Sequence, residues 1–343
     1  MYTLVTGGTG LVGYNIIKQL FQQGRKVKAL VRSMEKGNRI LPSECELIQG
    51  DVTDFISVKR PMEGCDVVYH AAGFPEQWMK NPDTFTKINV QGTQNMVDAA
   101  LQMGVKKFVY TSTIDVFPGN KGEQYDESVI DPNEKGTYYE RSKQEADRRV
   151  VSGLKLGLPA VFLHPSGVYG PGPTDSPGTN DFIVKLKNKQ IPVLLPGGYP
   201  IVFSEDVGRG HVLAENAEPG SRYILSENYY SLAQLATIIL EELHMDAKPP
   251  MVMPVAVGKT VSFFGELLSD LTNKPPLIPK GQLHFLQWGA IPNSVKSATR
   301  TRLETHAGEG RHPENGRIFI CKIRRIRPGR KWILYPGKSS DDS

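Results

Sequence analysis

Tyr139 and Lys143 stand four residues apart in the segment Tyr139-Glu140-Arg141-Ser142-Lys143, so in a helix both lie on one face. Tyr138, five before Lys143, points elsewhere. A phenol titrates near pH 10 and moves protons poorly at neutrality. A nearby ammonium favours the phenolate, which makes the pair a candidate acid–base unit. Chance pairs on exposed helix faces share this spacing, so the rest of the chain has to decide between the two readings.

The elements that would position such a pair begin at the N-terminus. Tyr2-Thr3-Leu4-Val5 has β character, Gly7-Gly8-Thr9-Gly10-Leu11-Val12-Gly13 is a glycine-rich turn, and Ile16, Ile17, Leu20 and Phe21 suit one helical face. In a strand–turn–helix of this kind Gly7 permits the tight turn and Gly10 lets the backbone approach a pyrophosphate. Gly13 lets the helix pack closely, and the phosphates sit at the helix N-terminus. That context favours a nucleotide site over a merely structural turn.

A second strand reads from Phe108-Val109-Tyr110 and ends in three hydroxyls, Thr111, Ser112 and Thr113. Ligands of open α/β sheets bind outside the carboxyl ends of the strands. Here the chain resembles the extended short-chain dehydrogenase/reductase family, within the epimerase/dehydratase superfamily. The resemblance implies a Ser/Thr, Tyr, Lys triad formed by Thr113, Tyr139 and Lys143, with threonine in the place of the commoner serine.

Further segments continue the resemblance in the family's order over nearly 300 residues. Asp51-Val52 corresponds to the adenine contact after the third strand. Ala71-Ala72-Gly73, after Tyr69-His70, would pass beside the cofactor, and Asn89 would support the site. Pro165-Ser166-Gly167-Val168 resembles the segment that holds the nicotinamide. The implied cofactor contacts are therefore Gly7, Thr9, Gly10, Leu11, Val12, Gly13, Arg32, Asp51, Val52, Ala71, Ala72, Gly73, Tyr139, Lys143, Pro165, Ser166 and Val168.

Arg32, with Ser33 beside it, stands where an acidic residue would bind the ribose hydroxyls of NAD. Arginine suits a 2′-phosphate, so NADP(H) is favoured and NAD(H) stays open, as does a solvated loop role for Arg32. His164 replaces an arginine common among relatives. Neither a nucleophile nor metal-ligand spacing accompanies it, so a packed or hydrogen-bonded histidine is expected, and His70 is expected to orient backbone. No metal site is expected.

Strands alternating with helices to about residue 165 imply a doubly wound, mostly parallel Rossmann sheet. Residues 1–165 are assigned to the dinucleotide-binding domain and 166–295 to a smaller, interleaved substrate lobe. Pro200-Ile201-Val202-Phe203-Ser204-Glu205-Asp206-Val207 and Arg222-Tyr223-Ile224-Leu225 are expected to return to the sheet. Helices are expected from about Thr84 to Met103 and from about Thr137 to Leu156, and the resemblance implies that they form a homodimer contact. Val257, Val261, Phe264, Leu268 and Leu271 form a helical stripe, read as core or partner packing with lipid-surface contact as the minor alternative.

The chain has 343 residues, net charge +5 and a 39% apolar fraction, ordinary for a water-soluble enzyme. Cys45, Cys65 and Cys321 have neither disulfide nor zinc spacing. With no signal peptide or transmembrane stretch legible, a cytoplasmic location is expected. From Lys296 to Ser343, twelve Lys or Arg face five Asp or Glu. That tail loses the helical apolar period from Thr299 onward and is read as out-of-frame sequence beginning near residue 298, rather than as a nucleic-acid or lipid-binding module. No nucleic-acid partner is expected.

The substrate is expected to be a small molecule. The sugar-nucleotide branch of the family carries an Arg-Asp pair where this chain has Tyr199-Pro200, and the missing arginine removes a diphosphate partner. Asp206-Val207-Gly208-Arg209-Gly210-His211 instead resembles the branch of dihydroflavonol reductases, hydroxysteroid dehydrogenases and hopanoid-associated sugar epimerase-like proteins. The loop Phe74-Pro75-Glu76-Gln77-Trp78-Met79-Lys80 either contacts a flat or apolar substrate or packs on the protein. The expected reaction is hydride transfer between nicotinamide and a carbonyl or carbinol. Two alternatives remain, an NAD-retaining sugar epimerase or dehydratase and a non-catalytic NADP-binding sensor or scaffold.

Overall fold

The structure, a computed structural model, describes residues 2–294 except Gln77, 174–177 and 273–274. The basic tail with its expected change of frame, Gln77 of the aromatic loop, and the Leu271 side chain lie outside the described residues.

The first part of the chain alternates β1 (Tyr2–Thr6), α1 (Leu11–Gln22), β2 (Lys26–Val31), α2 (Met34–Ile40), β3 (Glu46–Gln49), α3 (Phe55–Met62) and β4 (Cys65–His70). A helical stretch follows, comprising α4 (Asp83–Phe85), a wider-wound turn at Thr86–Gln91, and α5 (Gly92–Met103). Next come β5 (Lys107–Thr111), β6 (Gln124–Tyr125), α6 (Tyr138–Lys155) and β7 (Ala160–Pro165). The remainder holds β8 (Gly167–Tyr169), α7 (Thr179–Lys187), β9 (Gly198–Phe203), α8 (Ser204–Leu213), β10 (Arg222–Leu225), β11 (Tyr229–Ser231), α9 (Leu232–Glu242), α10 (Val255–Thr272), α11 (Lys280–Trp288) and β12 (Ile291–Pro292).

Seven strands form one parallel sheet in the order β10-β7-β5-β4-β1-β2-β3. The order reverses between β1 and β4, which creates the crevice where ligands of doubly wound sheets bind. Side-chain alternation along each strand builds a core on both faces. Val5, Val27, Ala29, Val109 and Val161 face α1 and α8, whereas Leu4, Leu30, Val68, Phe108 and Phe162 face α3, α5 and α6.

A second sheet, ordered β11-β9-β8, packs with α7 and α9 around Ile201, Phe203, Ile183 and Ile239. The segment expected to return to the main sheet at Pro200–Val207 is divided between two elements. Gly198–Phe203 pairs with β8 and β11, and Ser204–Val207 opens α8. Glu205 and Asp206 favour that helix start through the helix dipole. The chain then re-enters the main sheet as β10, hydrogen bonded beside β7.

The helical stripe in α10 is not core. Its Val257, Phe264 and Leu268 are exposed and Val261 is half-buried, and Phe263 and Leu267 next to it are exposed as well. Among the described residues no helix is long and apolar enough to cross a membrane.

Candidate active site

The glycine turn divides its three jobs as its geometry demands. Gly7 has φ +74°, in the left-handed region, and a Cβ there would lie 2.5 Å from the Ala71 carbonyl oxygen. A Cβ on Gly13 would lie 2.4 Å from the Gly7 oxygen, so α1 approaches the turn only because that position is bare. Gly10 differs. Its Cβ would meet only the Gly7 oxygen at 3.3 Å and otherwise open space, which leaves room for a ligand against the backbone. Gly10 also caps α1 without a side-chain hydrogen bond, and the first turn of α1 carries no acid. Thr9, Leu11 and Val12, at the mouth of this helix end, are half-buried. The arrangement suits a dinucleotide pyrophosphate.

The other expected cofactor residues lie along the same carboxyl edge of the sheet. Arg32 is exposed just past β2. Ser33 Oγ caps α2 by accepting from the Lys36 N–H at 3.1 Å. Asp51 accepts from the N–H and hydroxyl of Thr53, both at 2.9 Å, and Asn95 donates to the Val52 carbonyl at 2.9 Å. Ala71 and Ala72 are tied to Thr6, and Gly73 is exposed. Pro165 ends β7, Val168 is half-buried in β8, and Ser166 Oγ is buried without a hydrogen-bond partner among the described residues. An orphaned hydroxyl at the carboxyl end of β7, on the same sheet edge as the glycine turn after β1, fits a bound nicotinamide dinucleotide, since buried polar groups are normally paired.

Tyr139 and Lys143 are delivered by α6, whose start is fixed by a capping box. Thr137 Oγ1 accepts from the Glu140 N–H at 3.1 Å, and the Glu140 carboxylate accepts from the Thr137 N–H at 2.9 Å. The Tyr139 phenol lies close enough to Thr113 for that side chain to favour its ionised form. Thr113 Oγ1 also donates to Asp115 Oδ2 at 2.9 Å. Burial, and then the charge of Asp115, pushes the Tyr139 phenol above its ordinary range.

Lys143 Nζ is buried and donates to the Tyr110 hydroxyl at 3.2 Å and to the Thr111 carbonyl at 2.9 Å. Its pKa falls to about 8 because burial outweighs the pull of Asp147 and Asp115. The same burial, with Asp147 and Tyr139 adding to it, pushes the Tyr110 phenol well up.

His70 bridges Thr6 Oγ1 at 2.9 Å and Thr93 Oγ1 at 3.0 Å. Burial, and next the Lys143 charge, lowers its pKa to about 3, which keeps it neutral. Since Thr6 Oγ1 accepts from the Ala72 N–H at 3.2 Å, His70 steadies the strand end that faces the cofactor crevice. Asn89 holds the next residues. Its carbonyl accepts from the Phe74 N–H at 2.7 Å, and its amide donates to the Phe74 carbonyl and to Ser142 Oγ. Phe74 packs edge-on against Phe85 at 5.2 Å.

His164 proves to be a positioning group. A carbonyl cannot donate, so His164 Nδ1–H donates to the Thr113 carbonyl at 3.1 Å, and Nε2 accepts from Arg222 Nη1 at 3.2 Å. Burial lowers its pKa to about 3. Arg222 pairs with Asp147 at 2.6 Å, and Ser112 Oγ donates to the other Asp147 oxygen at 2.9 Å.

Asp115, Asp147, Tyr110 and Arg222 were missed by sequence reasoning. Asp147 had a signal, for it lies four residues beyond Lys143 on the face that carries Tyr139. Asp115 had a weaker one, an acid inside the apolar run Ile114–Phe117. Among the described residues no cluster of His, Cys, Asp or Glu has metal-holding geometry.

Residues 3–225 match the NAD dependent epimerase/dehydratase family. A putative dihydroflavonol 4-reductase of Synechocystis is 32% identical over 284 residues, covering 80% of this chain and 82% of that protein. Sterol demethylase protein B of Methylococcus capsulatus is 28% identical over 313 residues, covering 90% and 93%. The structure of a UDP-glucose 4-epimerase of Thermus thermophilus in complex with NAD has a TM-score of 0.67 and 22% identity. It covers 91% of this chain and 100% of that one, a likeness of fold.

Proposed function

The chain belongs to the NAD dependent epimerase/dehydratase family and is an NAD(P)-dependent enzyme, and from that premise we propose that it is an NADP(H)-dependent reductase with an exchangeable cofactor. Its substrate would be a small, flat or apolar carbonyl compound or the corresponding carbinol. The observation that carries this reading is that α6 brings Tyr139 within the influence of Thr113 and places Lys143, buried, on the Thr111 carbonyl at the end of β5. The relatives named as a dihydroflavonol reductase and a sterol demethylase component support a substrate of that shape.

A bound nicotinamide supplies or accepts the hydride. In reduction Thr113 polarises the carbonyl oxygen, and the Tyr139 hydroxyl gives it a proton. Lys143, within reach of the strand end at Thr111, holds positive charge on which a phenolate and a ribose hydroxyl can both draw. The helix end at Gly10–Gly13 receives the phosphates, and Ser166 Oγ offers a hydrogen bond to the nicotinamide side. Arg32, exposed beyond β2, favours a 2′-phosphate.

The test is a titration of the purified protein with NADPH and NADH, combined with turnover of aromatic and alicyclic ketones by the intact protein and by Tyr139→Phe. Expected are a preference for NADPH that Arg32→Ser abolishes, no retained nucleotide, and a turnover loss in Tyr139→Phe of roughly 100-fold or more with cofactor affinity kept. Near-normal turnover in Tyr139→Phe overturns the proton assignment. NAD held through purification overturns the reductase reading in favour of an epimerase or dehydratase.

A further inference from the structure

The Thr113 hydroxyl has one hydrogen and two lone pairs, and its one hydrogen is committed within the protein. The hydrogen goes to Asp115 Oδ2 at 2.9 Å. One lone pair receives the Asp115 backbone N–H at 3.4 Å. A hydroxyl arranged in this way has no hydrogen left to offer a carbonyl oxygen. The group that holds the hydrogen is itself unusual. Asp115 is buried, and its Oδ1 has no hydrogen-bond partner among the described residues.

We propose that Asp115 is a positioning residue whose protonation decides where the Thr113 hydroxyl hydrogen points. Ionised Asp115 keeps that hydrogen on Oδ2. Protonated Asp115 reverses the bond, donating to Thr113 Oγ1 and releasing the threonine hydrogen toward the oxygen of a carbonyl substrate. No covalent bond to carbon changes in this step; one proton is taken from water onto the carboxylate. The proposal rests on the reductase reading for its consequence in turnover, but the coupling of the two side chains stands without it.

The surroundings favour a switch near neutrality. From α6, Glu140 opposes ionisation of Asp115, whereas Lys143 assists it. Lys135, in the loop before α6, also assists and is itself paired with Asp131 at 2.8 Å. Tyr139 on α6 and Tyr125 on β6 face the same carboxylate, and Asp115 opposes the ionisation of both. From α11, His284 lies 3.6 Å from Glu140. Burial is the dominant influence and places the Asp115 pKa at about 7, with the Thr113 hydrogen bond pulling the other way.

Two measurements test the proposal. In the first, infrared spectroscopy follows the protonated carboxyl band of the full chain with pH, using Asp115→Asn to assign it. A band that titrates near pH 7 and shifts to higher pH in Thr113→Val is expected, because that variant removes the bond that stabilises the carboxylate. No titrating Asp115 band between pH 5 and 9, or the same midpoint in Thr113→Val, overturns the proposal.

The second measurement is the pH profile of kcat/KM for NADPH-dependent ketone reduction. It should fall above pH 7 in the intact protein and stay level to about pH 8 in both Asp115→Asn and Asp115→Leu. An unchanged profile in both variants overturns the gating. If the intact protein reduces no ketone, the reductase reading fails and the infrared comparison alone decides whether Asp115 controls the hydroxyl.

Discussion

Arg222 Nη2 lies 2.6 Å from Asp147 Oδ2, joining β10 to α6 through a carboxylate that is almost wholly enclosed. The guanidinium also covers the Phe162 ring at 3.9 Å and reaches His164, which in turn holds the Thr113 carbonyl. The pair therefore ties the strand that returns from the second sheet to the backbone of Thr113.

Breaking this pair on one side should be far worse than removing it whole. Asp147→Leu leaves a buried guanidinium uncompensated and should lower unfolding free energy by about 3–5 kcal/mol. The double variant Asp147→Leu, Arg222→Met should recover most of that loss, because it strands no charge. Urea unfolding of the three proteins measures this; equal losses in the single and double variants would show that the pair is not what Asp147 contributes.

Gly10 and Gly13 should separate binding from folding. Gly13→Ala drives a methyl into the Gly7 carbonyl and should cost about 1–3 kcal/mol of stability as α1 is pushed off the turn. Gly10→Ala meets little protein, so it should unfold like the parent yet bind nicotinamide dinucleotide at least about tenfold more weakly. Thermal unfolding beside nucleotide titration checks both, and a Gly10→Ala protein with unchanged affinity would remove the pyrophosphate from that turn.

Lys143 should be a stability cost that function retains. Its ordinary pKa of 10.5 falls to about 8 in the fold, so between those values the unfolded chain holds a proton that the folded chain has lost. Stability should therefore rise with pH from about 8 to 10.5 and be lowest, on this account, below pH 8. Lys143→Met should raise unfolding free energy by about 2 kcal/mol at pH 7, with the gain shrinking by pH 10, while turnover is lost. A variant less stable than the parent at pH 7 would mean that the bonds to Tyr110 and Thr111 outweigh desolvation.

Local chemistry was the legible part of this chain. The glycine turn, the capped helix that carries Tyr139 and Lys143, and the hydroxyl-ended strand are each specified by residues within a few positions of one another. The expected helix from about Thr137 to Leu156 is realised as Tyr138–Lys155. What resisted reading depends on partners far apart in sequence. The parting of β9 from the main sheet depends on β8 being available beside it. The role of His164 depends on Arg222, and the reach of Lys143 to Tyr110 depends on how closely α6 packs on β5. Asp115 escaped notice because composition alone does not tell a buried carboxylate from a solvated one.

The placement of β10 at the sheet edge, late in the chain, has a consequence for assembly and for exchange between relatives. A nascent chain released only as far as β9 already holds Thr113, Tyr139 and Lys143 but not Arg222, the counter-charge for Asp147. For the same reason the second part of the chain is not a cassette: a chimera that imports it from a relative inherits the strand that balances α6. Residues 147 and 222 should therefore be transplanted together or not at all.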